Sequence, residues 1–462
     1  MKAIEELGAW LEEILPDLLG RGHVPAASVA ILADGQVVSA AAGVLNNDTG
    51  VEATAASLFQ IGSITKVWTA TLIMQLVDEG LLDLDAPVQT VLTDFVLGDD
   101  DAASEITARQ LLSHVAGFEG DLFTDTGTGD DCVEKYVATL AEVGQLFAPG
   151  ERFSYNNAAF VVLGRIVEVL RGSTFDRVLR ERLITPLGLR HVATDASQAI
   201  MFRSAVGHVS AGDGVDPVPA PVWSLVRSTV PAGAMLAMTA EDLLGFAQAH
   251  IKGGLAPDGS RVLSTESVQA MQHRHVDLPE LGLMGGGWGL GWSLYDWDGG
   301  SVIGHDGGTI GQAAFLRVVP EKGVAVAILT NGGTPFVLYS TIMTRVLAEL
   351  AGVTVPALPA PTDARPALDV SRILGTYSSA VADSTVRQDQ DGRIWLEQTM
   401  KGILAELGEN PPPVELVPWR ENALIPLVAE QGVHIPHHFV GDDGSGRARY
   451  MHTGRADRRV SV

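Results

Sequence analysis

Ser63-Ile64-Thr65-Lys66 places a hydroxyl and an amine three residues apart. If Ser63 opens a helix, positions i and i+3 share a face with Cβ atoms about 5–6 Å apart, and Lys66 reaches the Ser63 hydroxyl. A serine hydroxyl is a weak nucleophile near neutral pH and needs a base beside it. Burial and neighbouring positive charge lower the pKa of a lysine, which lets Lys66 take that proton. A helix start at Ser63 also offers free backbone N–H groups to a developing oxyanion. Alone, the pattern equally describes an ordinary capped helix. Tyr155 and Asn157 form Tyr-x-Asn within Pro149-Gly150-Glu151-Arg152-Phe153-Ser154-Tyr155-Asn156-Asn157, on a loop entering a helix expected from about 158 to 171. A phenol shuttles a proton between nucleophile and leaving group when a nearby cation depresses its pKa. Asn157 is expected to hydrogen-bond Lys66 or a substrate amide. Gly304-His305-Asp306-Gly307-Gly308 comes last. Glycines on an edge strand let a substrate backbone approach closely. His305 is expected to face the cleft, and the N–H groups of Gly308 and Ser63 to form an oxyanion hole.

Occurring together in this order, the three motifs resemble those of the serine β-lactamase-like superfamily. That group includes penicillin-binding proteins, class C β-lactamases, D-alanyl-D-alanine carboxypeptidases and related esterases. Its pattern of Ser-x-x-Lys, Tyr-x-Asn and Lys/His-x-Gly falls here on Ser63/Lys66, Tyr155/Asn157 and His305/Gly307. The segments Ile106-Thr107-Ala108-Arg109-Gln110-Leu111-Leu112-Ser113-His114-Val115-Ala116-Gly117, Pro186-Leu187-Gly188-Leu189 and Gly289-Leu290-Gly291-Trp292 match further landmarks, so the resemblance covers about residues 15–350. His114, inside one landmark, is read as structural. The resemblance implies acyl transfer through an acyl-Ser63 ester, with Lys66 and Tyr155 moving the proton. His305 stands where class C β-lactamases carry Lys. A fixed cation is thereby replaced by a group largely neutral near pH 7, which argues against efficient β-lactam hydrolysis.

The elements that must hold these residues can be read from periodicity. Residues 3–19 carry Ile4, Leu7, Leu11, Ile14, Leu15 and Leu18 at helical spacing. Ser28–Leu32 and Val37–Ala40 flank an Asp34-Gly35 hairpin signal. Lys66–Leu82 is again helical. From about 290 the apolar runs Val302–His305, Ala313–Val319 and Val324–Leu329 read as an antiparallel meander, followed by a helix over about 335–351. Strands at both ends with helices between predict an α/β (α+β) sandwich in which the two ends share one antiparallel sheet. A Pro/Ala-rich linker, 353–367, separates a catalytic domain, 1–352, from a small β-rich domain, 368–462. The resemblance implies that the second domain is lipocalin-like and shapes the substrate pocket. Its Arg447, Arg449, Arg455, Arg458 and Arg459 read first as a solvated tail; the sharper reading has one of them gripping a substrate carboxylate.

Composition narrows the rest. The 462 residues are 46% hydrophobic and 19% charged, with net charge −25. That belongs to a folded globular chain and argues against nucleic-acid and anionic-membrane partners. Cys132 has no partner for a disulfide and no basic neighbour in sequence. The acid-interrupted start, Met1-Lys2-Ala3-Ile4-Glu5-Glu6, does not read as a signal peptide, so a cytoplasmic location is expected. His434, His437 and His438 lack companions at metal spacing, and no metal or cofactor is expected. The sequence therefore points to a serine hydrolase or acyltransferase acting on a small-molecule or peptide acyl donor, with water or an amine as acceptor. Small-ester hydrolysis ranks first, then amide-forming transacylation or thioesterase chemistry of a peptide or antibiotic pathway, then β-lactamase or D-alanyl carboxypeptidase activity. An inactive binding protein of the same fold would have lost a motif residue, and none is lost.

Overall fold

A computed structural model of the protein describes residues 2–210, 215–402, 405 and 410–461. Residues 1, 211–214, 403–404, 406–409 and 462, with the parts of the expected 1–352 and 368–462 units that contain them, lie outside that description. The Asp34-Gly35 signal forms the expected hairpin between β1 (Ala26–Ala33) and β2 (Gln36–Gly43). Both turn residues have positive φ, 51° and 75°, the geometry that an Asp-Gly pair adopts most readily. The late meander supplies β3 (Val276–Asp277), β4 (Gly287–Trp288), β5 (Ser293–Trp297), β6 (Gly300–Thr309), β7 (Gln312–Val319) and β8 (Val324–Thr330). The sheet order is β2-β1-β8-β7-β6-β5-β4-β3, with every neighbouring pair antiparallel. The β1–β8 pairing joins the two ends of the catalytic part, as the strand pattern predicts.

Side-chain alternation decides what covers each face. In β8, Ala325, Ala327 and Leu329 enter one core, while Val324, Val326 and Ile328 enter the other. The second core is closed by helices α1 (Lys2–Gly22) and α5 (Phe336–Ala351), through Leu7, Leu11, Leu15, Ile342 and Val346. The first lies under α2 (Thr65–Asp78), α3 (Asn157–Arg171) and α4 (Ala240–Ile251). The alanines on that face let the helices approach closely. α2 is buried almost all round, with Trp68 stacked on Phe246 of α4 at 4.0 Å; such a helix is a fixed post at the centre of the molecule.

The C-terminal part is a closed eight-stranded antiparallel barrel. Its first strand, Gly375–Ser378, pairs with its last, Ala456–Ser461, which removes the exposed strand edges of an open sheet. Tyr377, Val386, Leu396, Leu424 and Phe439 fill it. Arg459 is not part of a solvated tail. Its guanidinium donates to the carbonyls of Ala448 (2.6 Å) and Arg372 (3.0 Å) and lies 4.6 Å from the Tyr377 ring centre. Among the described residues no helix is long and apolar enough to cross a membrane.

An ion pair between a buried arginine and a partly buried aspartate locks β6 to β7. Arg317 is fully buried. It donates to both oxygens of Asp306 (one at 3.0 Å), to the Leu316 carbonyl (3.0 Å) and to the Tyr339 hydroxyl (3.1 Å). Removing one partner of such a pair leaves an uncompensated charge, at a cost of about 3 kcal/mol. Arg317→Met therefore lowers the denaturation midpoint clearly in urea, and the Arg317→Met/Asp306→Asn double variant recovers part of the loss. A single variant as stable as the parent contradicts this.

Candidate active site

From Ser57 to Leu76 every residue is buried except Ser63, which is half-buried. The chain thus presents one hydroxyl to the cleft from a buried post. Ser63 is not the cap of an α-helix, as the sequence suggested. It lies in a 3₁₀ turn, Gly62–Ile64, that runs directly into α2. The i, i+3 relation survives, because Lys66 occupies the first turn of α2.

Lys66 is completely buried. Its Nζ lies 3.1 Å from Ser63 Oγ, 2.6 Å from Asn157 Oδ1 and 2.6 Å from the Ala232 carbonyl oxygen. The two carbonyl-type oxygens can only accept. A neutral amine satisfies both with its two hydrogens and turns its lone pair toward the Ser63 hydroxyl hydrogen. Desolvation, helped by the Arg455 charge and opposed by Asp121, holds the Lys66 pKa well below that of a free lysine. This is the arrangement of a base.

The Tyr-x-Asn motif is positioned by the residue between its members. Asn156 caps α3, accepting from the Ala159 N–H at 2.7 Å. Its own N–H donates to His114 Nδ1 at 2.9 Å. That bond fixes His114 as the Nε2–H tautomer, and its ring stacks under Tyr155 at 4.3 Å between centroids. Tyr155 corrects one expectation. Burial pushes its pKa upward, and the Ser63 hydrogen bond and Arg455 only partly oppose this. It is therefore held as a neutral phenol, able to donate.

Three glycines bring separate segments against Ser63. A Cβ on Gly307 would sit 1.9 Å from the Ile61 carbonyl oxygen and 3.0 Å from the Ser63 nitrogen. One on Gly62 would sit 2.6 Å from the Gly308 nitrogen, and one on Gly233 would sit 2.3 Å from the Gly62 oxygen. Beside Gly308 there is open space. β6 pairs with β5 only up to Gly304, so His305–Thr309 have a free side toward the cleft. His305 is buried, and desolvation lowers its pKa to about 3. Its Nδ1 lies 2.6 Å from the Asp306 carbonyl oxygen. That makes it the Nδ1–H tautomer and leaves Nε2 as an acceptor with no protein partner.

All seven residues singled out from the sequence meet here. Ser63, Tyr155, His305, Gly307 and Gly308 line a cleft of about 220 Å³ with Trp288 and Arg455, while Lys66 and Asn157 lie beneath. Arg455 arrives from the barrel, its guanidinium 4.7 Å from the Tyr155 ring centre. Asp121 was missed in the sequence. It accepts from Asn157 Nδ2 at 2.7 Å and from Arg455 Nε at 2.9 Å. Only its position shortly after the His114 landmark could have flagged it. A larger hollow of about 500 Å³, bounded in part by Arg109, Arg152 and His452, holds no comparable chemistry: Arg109 and Arg152 are already paired with Asp85 and Glu151.

Residues 9–349 match the Beta-lactamase family, and the chain belongs to it. It is 46% identical over 358 residues to "Penicillin-binding protein 4" of Amycolatopsis lactamdurans, covering 77% of this chain and 93% of that protein. The crystal structure of SurE superposes with a TM-score of 0.78 at 27% identity, over 99% of this chain and all of the other; its structure with D-Leu gives 0.76 over the same shares. A D-amino acid amidase from Ochrobactrum anthropi SV3 shares the fold at a TM-score of 0.63 and 23% identity, over 74% of this chain and 97% of the amidase.

The glycine geometry is testable by thermal unfolding. Gly307→Ala drives a methyl into the Ile61 carbonyl and lowers the melting temperature by about 1–3 °C, as expected of about 1–3 kcal/mol of overpacking. Gly308→Ala, facing open space, melts like the parent. Equal melting of all three proteins contradicts the packing described.

Proposed function

We propose that this chain is a serine acyltransferase or hydrolase that holds its acyl group as an ester on Ser63. The observation that carries this reading is a buried, desolvated Lys66 amine within hydrogen-bond distance of the one half-exposed hydroxyl in its segment. Ser63 Oγ attacks the acyl carbon while its proton passes to Lys66. The carbonyl π electrons move onto oxygen, and the N–H groups of Ser63 and Gly308 receive the oxyanion. When the intermediate collapses, the carbonyl re-forms and the bond to the leaving group breaks. Tyr155 gives that group a proton and recovers one from the Lys66 ammonium. Water or an amine then repeats the sequence in reverse to release the acyl group. Asn157 and His305 orient the substrate, His305 by accepting an N–H at Nε2.

Arg455 shifts the substrate ranking expected from the motifs. Simple ester hydrolysis makes no use of a second charge in the cleft, and His305 supplies none. The Arg455 side chain is 40% accessible beside Tyr155, placed to read a carboxylate as the basic cluster suggested. SurE, alike over its whole length including the barrel, has been solved with D-Leu, which supports a substrate or acceptor carrying a D-amino acid carboxylate. We therefore rank transfer on a peptide-like amide or thioester above hydrolysis of a small ester, with β-lactams third.

Intact-protein mass spectrometry after exposure to esters, thioesters, D-amino-acid amides and penicillins tests both levels. The wild type gains the acyl mass of its donor and Ser63→Ala gains none; an equal gain in the mutant rejects the nucleophile. Lys66→Arg, which keeps a cation but loses the base, lowers the acylation rate by about 10²–10⁴-fold. In the wild type kcat/KM declines toward acid as Lys66 is protonated, with a limb well below the 10.5 of a free lysine. Because His305 is neutral above about 3, His305→Gln leaves that limb in place; a limb that moves with His305 assigns the titration to the wrong group.

A further inference from the structure

The barrel does more than flank the cleft. Its last hairpin, between strands Tyr450–His452 and Ala456–Ser461, is bonded to the Tyr-x-Asn loop residue by residue. The Gly454 N–H donates to His452 Nδ1 at 3.2 Å, so His452 Nε2 carries the hydrogen and donates to the Phe153 carbonyl at 2.8 Å. The Ala456 N–H donates to Ser154 Oγ at 3.1 Å, and the Tyr155 N–H to the Gly454 carbonyl at 2.9 Å. Gly454 has φ +104°, and a Cβ there would lie 2.6 Å from Met284 Sδ. The turn thus delivers Arg455 to one place, where it donates to Asp121 through Nε at 2.9 Å and Nη2 at 3.3 Å.

Asp121 passes this on. As a carboxylate it only accepts, so the Asn157 group facing it at 2.7 Å must be the amide NH₂. The other end of the amide, Oδ1, then faces Lys66 Nζ at 2.6 Å. With Asn157 turned the other way, an NH₂ would confront the amine, and only the Ala232 carbonyl would still draw a Lys66 hydrogen away from Ser63.

We propose that Asp121 and Arg455 are positioning residues: the barrel hairpin sets the Asn157 amide through Asp121, and with it the direction in which the Lys66 amine meets Ser63. This rests on the reading of Ser63 as nucleophile and Lys66 as its base. It is separate from any carboxylate that Arg455 binds, because it operates on substrates without one. The two residues also act on Lys66 through space with opposite signs, Arg455 lowering its pKa and Asp121 raising it. The other titratable groups around it are shifted toward their neutral forms. Burial depresses His114 and His305 and elevates Tyr155.

The test is the pH dependence of Ser63 labelling by a small fluorophosphonate that bears no carboxylate, on the full chain. Arg455→Gln and Asp121→Asn each slow labelling at the alkaline plateau by about 10- to 100-fold, the scale of a misplaced catalytic group. Their acid limbs move apart by about one pH unit, to higher pH in Arg455→Gln and to lower pH in Asp121→Asn. Asp457→Asn, on the same hairpin with a carboxyl raised to about 7, keeps the parental limb. Melting temperatures measured alongside separate these effects from unfolding. Labelling at the parental rate with an unmoved limb in both variants overturns the proposal, as does a loss that only follows the unfolded fraction. A wild type that does not label at Ser63 overturns the underlying reading instead.

Discussion

Lys66 carries its amine into a fully buried place with no carboxylate in hydrogen-bond contact among the described residues, and the catalytic part is arranged around that fact. A charged ammonium there would have to be stabilised by two neutral carbonyl oxygens and a hydroxyl. Desolvation favours the neutral form instead. Once neutral, the amine has two hydrogens and one lone pair for three oxygens, and the two carbonyls dictate that the lone pair goes to Ser63. In the proposed mechanism the base is made by the number and type of its acceptors as much as by burial.

The fold supplies those acceptors from distant parts of the chain. α2 fixes Ser63 and Lys66 on one post, the Asn156 cap sets Asn157 at the start of α3, and the turn before Gly233 aims the Ala232 carbonyl. Glycines at 62, 233 and 307 let these backbones meet at distances no side chain permits. Behind β6, the Arg317–Asp306 pair holds the strand that faces Ser63. Burial shifts Tyr155 and Lys66 in opposite directions, each toward its neutral form, side by side in one small site.

Much of this was legible in the sequence because it is local or periodic. Ser-x-x-Lys needs only one helical turn to become a pair, and the apolar runs of β7 and β8 announce neighbouring strands of an antiparallel meander. The Asp34-Gly35 turn is likewise a short-range signal. What stayed hidden depends on contacts distant along the chain. Asp121 is one acid among many until Asn157 and Arg455 close on it, and Arg455 is one of five nearby arginines until the hairpin delivers it to the cleft. The direction of the Tyr155 shift was misjudged for the same reason: its neighbours include a cation, as expected, but the burial that outweighs the cation is a property of the assembled core. Ser63 in a 3₁₀ turn rather than at a cap reflects the glycine contacts around it, which no local propensity encodes.

The most direct measurement is the protonation state of Lys66 itself, followed by NMR of ¹³C-labelled lysine side chains and assigned with Lys66→Arg. One lysine is expected whose ε-carbon passes to the free-amine chemical shift well below the 10.5 of a free lysine. A Lys66 signal that stays ammonium through pH 9 contradicts this.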